Sequence, residues 1–366
     1  MQTASERDLL ARFHVDGPLL GGVLLICALG LVVLYSASGQ SMDVVMRQSM
    51  RMALGFVMMI AIAQLSPWRI ARWAPVFYLG GTLLLIAVFL FGTGRGAHRW
   101  LELGFVRFQP SEIMKLAVPL TVAWFLNDKV LPPRTATLAI VLVLVLIPGA
   151  FVIEQPDLGT AILIMTAGLL VIFFAGIQWR WIGIAAAFAV VCAPIGWYAM
   201  HGYQRQRIIT LLDPTQDPLG TGYHIIQSTI AVGSGGVSGK GWLNGTQSHL
   251  QFLPERATDF IFAVYCEEFG LLGVLVMLTA YSLVLLRGVQ ISLAAQDAFG
   301  RLMAASLTVT LFIYMFVNMG MVIGQLPVVG VPLPLVSYGG TSIVTLMTGF
   351  GILMSIQTHR RFIVES

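Results

Sequence analysis

Hydrophobic residues run along the chain in long stretches that are separated by charges, prolines and glycines. A helix needs roughly 20 mostly apolar residues to cross the hydrocarbon core of a bilayer. Ten stretches approach that length, and the pattern therefore predicts ten transmembrane helices. Their predicted ranges are Pro18–Ser36, Met50–Leu65, Pro75–Phe91, Pro110–Leu126, Ala136–Ile153, Asp157–Ile177, Trp181–Met200, Thr258–Leu286, Arg301–Ile323 and Gly339–Gln357.

The composition agrees with this pattern and excludes an ordinary soluble domain. Hydrophobic residues make up 57% of the chain and charged residues 10%, whereas soluble domains carry about 25% charged residues. We therefore expect an all-α polytopic membrane protein in which residues 1–366 form a single membrane domain. The net charge of +4 fits contact with anionic membrane lipid and requires no nucleic acid partner. Cys27, Cys192 and Cys266 all lie within predicted spans, so neither a disulfide framework nor a metal cluster is expected.

The distribution of basic residues predicts the orientation of the chain. With ten spans both termini share one side, and the short segments on that side hold just over half of the 21 Lys and Arg residues. Cytoplasmic loops are enriched in these residues, so residues 1–17 and 358–366 are expected in the cytoplasm. Acidic residues gather on the opposite, extracytoplasmic side. No cleaved signal peptide is expected, because the first apolar stretch is too long and is followed by further spans.

The longest predicted connection, His201 to Ala257, lies between the seventh and eighth helices and is expected on the extracytoplasmic side. A connection of this length without regular structure is usually functional. Its glycine-rich part, GSGGVSGKGW, resembles a nucleotide-binding loop but lacks the spacing, because Ser234 replaces the first glycine and Gly241 replaces the hydroxyl residue after the lysine. Two interpretations remain: a flexible re-entrant turn, or a backbone cradle for another phosphate.

Ionisable residues within the predicted spans are candidates for function, because each costs at least ~2.5–3.5 kcal/mol at membrane depth. Glu112 and Lys115 lie three residues apart on one helix face and could pair with each other. Asp157 is placed to cap the sixth helix. Glu267 and Glu268 lie about three turns into the eighth helix, and one of them is expected to be protonated or paired across the bundle.

Asp259, in the stretch FLPERATDFIFA, has the most suggestive surroundings. Either Thr258 or Asp259 could simply cap the eighth helix. However, Glu255 lies four residues before Asp259 with Arg256 between them. The helix N-terminus and the arginine lower the pKa of this carboxyl, while desolvation and the second carboxylate raise it. A group so balanced is ionised at neutral pH and still able to accept a proton.

The position of these charges favours one class of function over another. A transporter places ionisable residues and broken helices near the membrane midplane, ideally in matched halves. Here the charges gather toward one face, which is typical of an enzyme that acts on a lipid-linked substrate at the membrane surface.

Five motifs resemble those of a known family, the shape, elongation, division and sporulation (SEDS) proteins. They occur in order over most of the chain, from about Leu19 to His359, and the short termini and the last motif resemble the elongation branch more than the division branch. The motifs are QPSEIMKLA, QPDLGT, GYHIIQSTIAVGSGGVSGKGW, FLPERATDFIFA and GVPLPLVSYGG.

The resemblance implies a ten-helix peptidoglycan glycosyltransferase of the bacterial inner membrane that polymerises lipid II beside a class B penicillin-binding protein. It implies no covalently bound cofactor, and it implies that Asp259 is essential. Relatives usually carry His immediately before the Thr-Asp pair, where this chain has Ala257, so a proton relay through that His has no support here. The rival function is a lipid II translocase, which would use similar residues to escort the headgroup across the membrane.

The expected chemistry assigns roles to the remaining candidates. Polymerisation converts an α-linked diphosphate into a β-glycoside, so one displacement needs a base, Asp259, and a stabilised leaving group. A divalent cation, Mg or Mn, could share the stabilisation, although no metal-ligand spacing is present. The segment Gly324–Gly340 is expected to form a rigid re-entrant hairpin or a wall of the substrate cavity. The candidate substrate-binding residues are Glu112, Lys115, Asp157, Arg205, Arg207, Lys240, Glu255, Arg256, Ser337 and Tyr338.

Overall fold

A computed structural model describes residues 13–93, 99–103, 106–217, 220–246 and 255–359. A helix occupies each of the ten predicted spans, and in the described part of the connection between the seventh and eighth there are two further named helices. The helices are α1 (Gly17–Ala37), α2 (Met42–Ala63), α3 (Pro67–Phe91), α4 (Pro110–Asn127), α5 (Thr135–Glu154), α6 (Leu158–Phe174), α7 (Trp179–Ala199), α8 (Gly202–Leu212), α9 (Thr221–Ser234), α10 (Ile261–Leu293), α11 (Ala298–Val322) and α12 (Thr341–Thr358).

Eight of these helices are long and apolar enough to cross a membrane: α1, α2, α3, α5, α7, α10, α11 and α12. Helix α6 is apolar but has only 17 residues, and α4 carries Glu112 and Lys115. The chain is therefore a multi-pass membrane protein, while the count of ten spans stays a prediction. Helices α2 and α3 each begin eight residues before their predicted spans, because arginines at their N-terminal ends interrupt the apolar pattern without ending the helix.

The helices pack as a bundle around α4, α10 and α11. Helix α1 lies against α10, α2 against α12, α3 against α4, and α11 against both α6 and α10. By contrast, no residue in the apolar window of α7 is buried. A helix that is apolar all round and exposed all round is suited to face lipid.

The two ends of the bundle are marked by different contacts. At one end, which we call the terminal end, Asp16 caps α1 by accepting from the Leu19 backbone N–H at 3.0 Å. The same carboxylate binds the Arg287 guanidinium of α10 at 2.6 Å, which joins α1 to α10. The other end holds the turn of residues 255–260 and is called the Asp259 end.

The connection between α7 and α10 contains regular structure, so the expectation of an irregular loop is wrong. Helices α8 and α9 lie within it, joined through a 3₁₀ turn at Pro214–Gln216. Helix α9 packs on α10 and α11. Farther back in the chain, residues Leu101–Leu103 and Val106–Phe108 form a short antiparallel hairpin, β1 and β2, just before α4.

Helix α10 is interrupted at Gly270, whose backbone is non-helical with φ 61° and ψ −161°. The glycine-rich loop, residues 235–241, lies along this break. Lys240 and Gly241 donate their backbone N–H groups to the carbonyls of Glu267 and Glu268, each at 3.0 Å. The glycine-rich motif thus cradles a helix break in the described structure and its amides are not presented to a phosphate.

The opposite side of the break is satisfied in the same way. The N–H groups of Leu271 and Leu272 donate to the carbonyls of Gly236 and Val237, each at 3.0 Å. In a continuous helix these N–H groups would donate to Glu267 and Glu268. Two internal bonds are therefore exchanged for four bonds to the loop, which leaves these backbone groups satisfied in an apolar environment.

Candidate functional site

The turn of residues 255–260 carries Asp259 at the entrance to α10. Glu255 adopts a positive φ of 49°, which starts the turn, and Thr258 donates its hydroxyl to the Glu255 carboxylate at 2.8 Å. Phe260 occupies the N-cap position and no side chain caps the helix. The interpretation of Thr258 or Asp259 as a cap is therefore wrong. Among the described residues none donates a hydrogen bond to the Asp259 carboxylate, which leaves its oxygens available.

The proline-rich segment that precedes α12 holds this turn from behind. The Ser337 hydroxyl donates to the Thr258 carbonyl at 2.6 Å and accepts from the Leu333 N–H at 2.8 Å. Ser337 is buried, so its predicted role as a substrate hydrogen-bond donor is corrected: its hydroxyl is committed to the backbone of the turn. The expected re-entrant hairpin is therefore a rigid support for the site.

Two more contacts fix the backbone at Asp259. Asn318 of α11 donates its side-chain amide to the Asp259 carbonyl at 2.9 Å and to the Val331 carbonyl at 2.8 Å. The Tyr338 N–H donates to the Ala257 carbonyl at 2.8 Å. Sequence reasoning missed Asn318, although an amide near the C-terminal end of an apolar span was a usable signal. With its backbone bound from two sides, Asp259 has little freedom to turn away.

The electrostatics of Asp259 suit a base. Burial and, to a smaller extent, the nearby Glu255 raise the pKa of this carboxyl, Arg207 of α8 lowers it, and the net result is a pKa of about 6. His224 of α9 stacks on Phe260 at 5.7 Å between ring centroids, and burial lowers its pKa. The carboxyl is therefore mostly ionised at neutral pH and binds a proton far more readily than an ordinary aspartate.

The predicted ion pair on α4 is present. Lys115 Nζ lies 2.7 Å from Glu112 Oε1, and both side chains are buried. The ammonium also lies 5.6 Å from the centre of the Tyr314 ring. The second carboxylate oxygen of Glu112 has no hydrogen-bond partner in the described structure.

Asp157 has the predicted capping role. It is the N-cap of α6 and accepts from the Thr160 N–H at 3.4 Å. The same carboxylate accepts from the Gln109 amide at 3.2 Å and lies 3.8 Å from the Arg99 guanidinium. Asp157 therefore ties α6 to the segment before α4.

The other predicted cations lie in two places. Arg205 and Lys240 are bound to identified protein groups, and Arg207 and Arg256 lie near the turn. Arg205 donates to the Tyr198 carbonyl at the end of α7 at 2.7 Å. Lys240 lies 2.7 Å from the buried Glu267 carboxylate, so Glu267 is paired across the bundle as one alternative expected. Arg207 is close enough to Asp259 to lower the pKa of its carboxyl, and its guanidinium carbon lies 5.8 Å from the centre of the Tyr203 ring. Arg256 lies three residues before Asp259 and beside Gly39.

A cavity of about 1140 Å³ runs between α2, α3, α4 and α12. Its lining at the Asp259 end includes Tyr338 and Glu112, together with Arg51, Trp100 and Phe108. The hairpin segment is thus both a support and part of a cavity wall. The sequence pattern predicts no role for Arg51, which lies in the predicted span Met50–Leu65, or for Trp100, which lies in the connection before α4.

No group of three or more His, Cys, Asp or Glu side chains that could hold a metal is present in the described ranges. The Asp259 carboxylate, which accepts no protein hydrogen bond there, offers one ligand. A divalent cation at this site would therefore have to take its other ligands from bound substrate or water.

Together, the fold and the site define a multi-pass membrane protein with a rigidly held carboxyl group of raised pKa at one end of the bundle, near a deep and largely apolar cavity. The family model described as a cell cycle protein, FtsW/RodA/SpoVE, matches residues 18–362. The chain belongs to this family, which is the SEDS family that its motifs predicted.

Individual relatives agree over nearly the whole chain. The chain is 53% identical to the peptidoglycan glycosyltransferase MrdB of Escherichia coli K12, covering 97% of this chain and 96% of the relative. It is 33% identical to the stage V sporulation protein E of Bacillus subtilis, covering 93% and 96%.

Two solved structures have the same fold. A chain from a peptidoglycan synthase complex that coordinates polymerization and crosslinking superposes with a TM-score of 0.81 at 34% identity, covering 93% of this chain and 97% of that one. The Thermus thermophilus rod shape determining protein RodA superposes with a TM-score of 0.70 at 28% identity, covering 94% and 98%.

Proposed function

We propose that the chain is a peptidoglycan glycosyltransferase that polymerises lipid II into glycan strands for cell elongation. The observation that carries the proposal is the Asp259 carboxylate, with a pKa raised to about 6, no hydrogen-bond donor among the described residues and a backbone bound from α11 and from the hairpin. A translocase would place such a carboxylate near the membrane midplane, whereas Asp259 lies at one end of the bundle, just before α10 begins. The peptidoglycan glycosyltransferase MrdB, at 53% identity, supports the same assignment.

In the proposed reaction, Asp259 accepts the proton of the GlcNAc 4-hydroxyl. At the same time, the oxygen of that hydroxyl bonds to the anomeric carbon of a MurNAc on a second substrate. The bond from that carbon to the diphosphate breaks, undecaprenyl diphosphate leaves, and the configuration inverts. Asp259 then releases the proton to water. General base catalysis of this kind contributes typically 10²–10⁴-fold. Arg207 beside Asp259, and a Mg or Mn ion held jointly with the substrate, would offset the developing negative charge.

The large cavity suits the polyprenyl part of such a substrate. Beyond the end near Asp259, most of the wall is aliphatic and aromatic, including Leu54, Met58, Phe77, Leu116 and Val344, with Arg69 and three threonines of α12 as the polar exceptions. Removing a long isoprenoid from water or lipid into this space needs no directional contacts. The cavity therefore accepts the tail, while the Asp259 end receives the sugars.

The proposal places the protein in the bacterial inner membrane with both termini in the cytoplasm and the Asp259 end outside, as the basic residues predict. The partner is a class B penicillin-binding protein that crosslinks the new strand. Support for a partner comes from the similar chain in a synthase complex that coordinates polymerization and crosslinking.

Polymerisation of purified lipid II by the wild type and by Asp259→Asn, each alone and with the cognate transpeptidase, tests the proposal. The wild type is expected to make glycan polymer and the variant at least 100-fold less, with substrate binding retained. Equal polymer from both proteins would remove Asp259 as the base. No polymer from a folded wild type with its partner and Mg²⁺ would favour the translocase, and lipid II transfer across proteoliposomes would then be measured.

A further inference from the structure

Arg51 is a charged residue within a membrane-spanning helix that the proposed mechanism does not use. It lies nine residues into α2, and none of the ion pairs in the described part of the chain includes it. Its guanidinium carbon lies 4.6 Å from the centre of the Tyr338 ring. An arginine at membrane depth without a carboxylate partner is costly and is suited to bind an anion.

The surroundings of Arg51 add further attraction for an anion. Helix α12 begins at Thr341 with Gly340 as its N-cap, and no side chain caps it. A Cβ on Gly340 would lie 3.9 Å from the Arg51 guanidinium carbon, so the arginine lies close to the start of the helix. The first backbone N–H groups of a helix and its dipole both favour negative charge.

A hydrogen-bond acceptor lies in the same cavity wall. Glu112 is 6% exposed, and its Oε2 has no partner within the described ranges. Both Glu112 and Arg51 line the large cavity. An unpartnered carboxylate oxygen there suits a sugar hydroxyl or an amide N–H. The polar end of the cavity thus offers a cation for phosphate and an acceptor for the group attached to it.

We propose that Arg51 and the N-terminus of α12 bind the diphosphate of a polyprenyl-linked substrate whose chain occupies the apolar cavity. The proposal rests on the proposed function and identifies a diphosphate subsite within it. The subsite is joined to the reacting centre, because Tyr338, which stacks under Arg51, donates its N–H to the Ala257 carbonyl two residues before Asp259. Arg51 is a substrate-binding residue in this arrangement, and its planar guanidinium suits paired phosphate oxygens.

Binding of undecaprenyl diphosphate to the protein in phosphatidylcholine nanodiscs tests this subsite. Trp73 and Trp100 line the cavity and supply a fluorescence signal. Relative to the wild type, we expect Arg51→Gln to raise the Kd about tenfold or more, and Arg51→Lys to have an intermediate effect. Arg72→Gln removes an exposed arginine near the start of α3, outside the cavity lining, and should leave the Kd unchanged. Undecaprenol, which lacks phosphate, should bind all four proteins alike.

Equal binding of undecaprenyl diphosphate by Arg51→Gln and the wild type, both with intact melting temperatures, would overturn the proposal. So would phosphatidylglycerol, added to the nanodiscs, competing as strongly as undecaprenyl diphosphate, since the site would then recognise any anionic lipid. If Arg51→Gln does not fold, Arg51→Lys carries the test.

Steady-state kinetics separate this subsite from the catalytic proposal. If the wild type polymerises lipid II, Arg51→Gln should mainly raise KM. If Arg51→Gln leaves both undecaprenyl diphosphate binding and KM unchanged, the proposed subsite is wrong, and the proposed glycosyltransferase activity still stands. If binding depends on Arg51 but the wild type makes no polymer, the proposed subsite stands and the proposed activity is wrong.

Discussion

Asp259 shows how a single carboxyl can be fixed in place and given a raised pKa, as its proposed role as a base requires, without a dedicated partner. Its backbone carbonyl is held by Asn318 and its neighbour Thr258 is held by Ser337, while its oxygens accept no hydrogen bond in the part of the chain described. Burial and Glu255 then set the proton affinity, and Arg207 limits the rise. The rigid support and the raised pKa have separate causes, so they should respond to different substitutions.

The pH dependence of polymerisation follows from these charges. In the proposed mechanism the ionised carboxylate is the active form, so kcat/KM should rise with pH through about 6 and level off above it. Glu255→Gln removes a group that raises the pKa and should move this limb to lower pH. Arg207→Gln removes a group that lowers the pKa and should move the limb to higher pH. Profiles from about pH 5 to 8 measure the position of the limb, and shifts of both variants in one direction would contradict this assignment.

Sequence reasoning found the residues at this scale when their chemistry was visible locally. Asp259, the Glu112–Lys115 pair and the Asp157 cap all stand out from spacing along one segment. Ser337 was predicted to bind substrate. Its hydroxyl is instead bonded to Thr258, which lies 79 residues away in the chain, so the local sequence gave no sign of that contact. Arg51 was missed because its surroundings come from three different helices and a hairpin.

At the scale of elements, the glycine-rich loop and the break in α10 form one unit. Gly235 packs against the Cys266 backbone, and Gly239 against the Glu268 backbone, so both glycines are required by close approach. The buried Glu267 and Glu268 lie at the break, with Lys240 bonded to the first and the Ser36 hydroxyl to the second. The loop thus satisfies the backbone of the interrupted helix and pairs with Glu267, while Glu268 is bound by a side chain of α1.

Two alanine substitutions in the same motif should have opposite effects. An added Cβ at Gly235 would overlap the Cys266 carbonyl oxygen, so Gly235→Ala should lower the free energy of unfolding by about 1–3 kcal/mol or more. At Gly233, in the last turn of α9, an added Cβ meets no atom within 4 Å. Gly233→Ala should be neutral or stabilise by up to about 1 kcal/mol. Thermal unfolding in detergent compares them, and equal losses would show that the loop is not packed as described.

The helical elements were largely predictable, whereas their continuity was not. Apolar runs located all ten long helices, because the length of a span is set by the bilayer. The same runs gave no sign that α10 breaks at Gly270, since a single glycine is tolerated within a helix and the compensating loop lies about 30 residues earlier. The segments that form α8 and α9 were predicted to be irregular, because both contain polar as well as apolar residues and lack a long apolar run.

At the scale of the whole molecule, the polar residues that are proposed to function lie at one end of an apolar bundle. The terminal end is closed by the Asp16–Arg287 pair, and the Asp259 end holds the turn, the hairpin and the polar mouth of the cavity. Helix α7 stands apart with no buried residue in its apolar window. The chemistry and the lipid contacts therefore occupy distinct parts of the surface.

The proposed orientation can be checked with single cysteines. Leu212 at the end of α8 is 82% exposed and Val130 between α4 and α5 is 77% exposed. In intact spheroplasts, a membrane-impermeant maleimide should label Leu212→Cys, whereas Val130→Cys should react only after permeabilisation. The parent protein, whose three cysteines lie in predicted spans, sets the background. The reverse labelling pattern would place Asp259 in the cytoplasm and remove the proposed extracytoplasmic reaction.

The break in α10 also bears on how the protein is made. The loop that completes the hydrogen bonds of Leu271 and Leu272 precedes them in the chain, so the ribosome delivers it first. When α10 enters the membrane, the residues that satisfy its exposed backbone are already available nearby. Synthesis from N- to C-terminus thus supplies the loop before the helix that it interrupts, and a circular permutant that reversed this order should insert α10 as a continuous helix that the loop must later open.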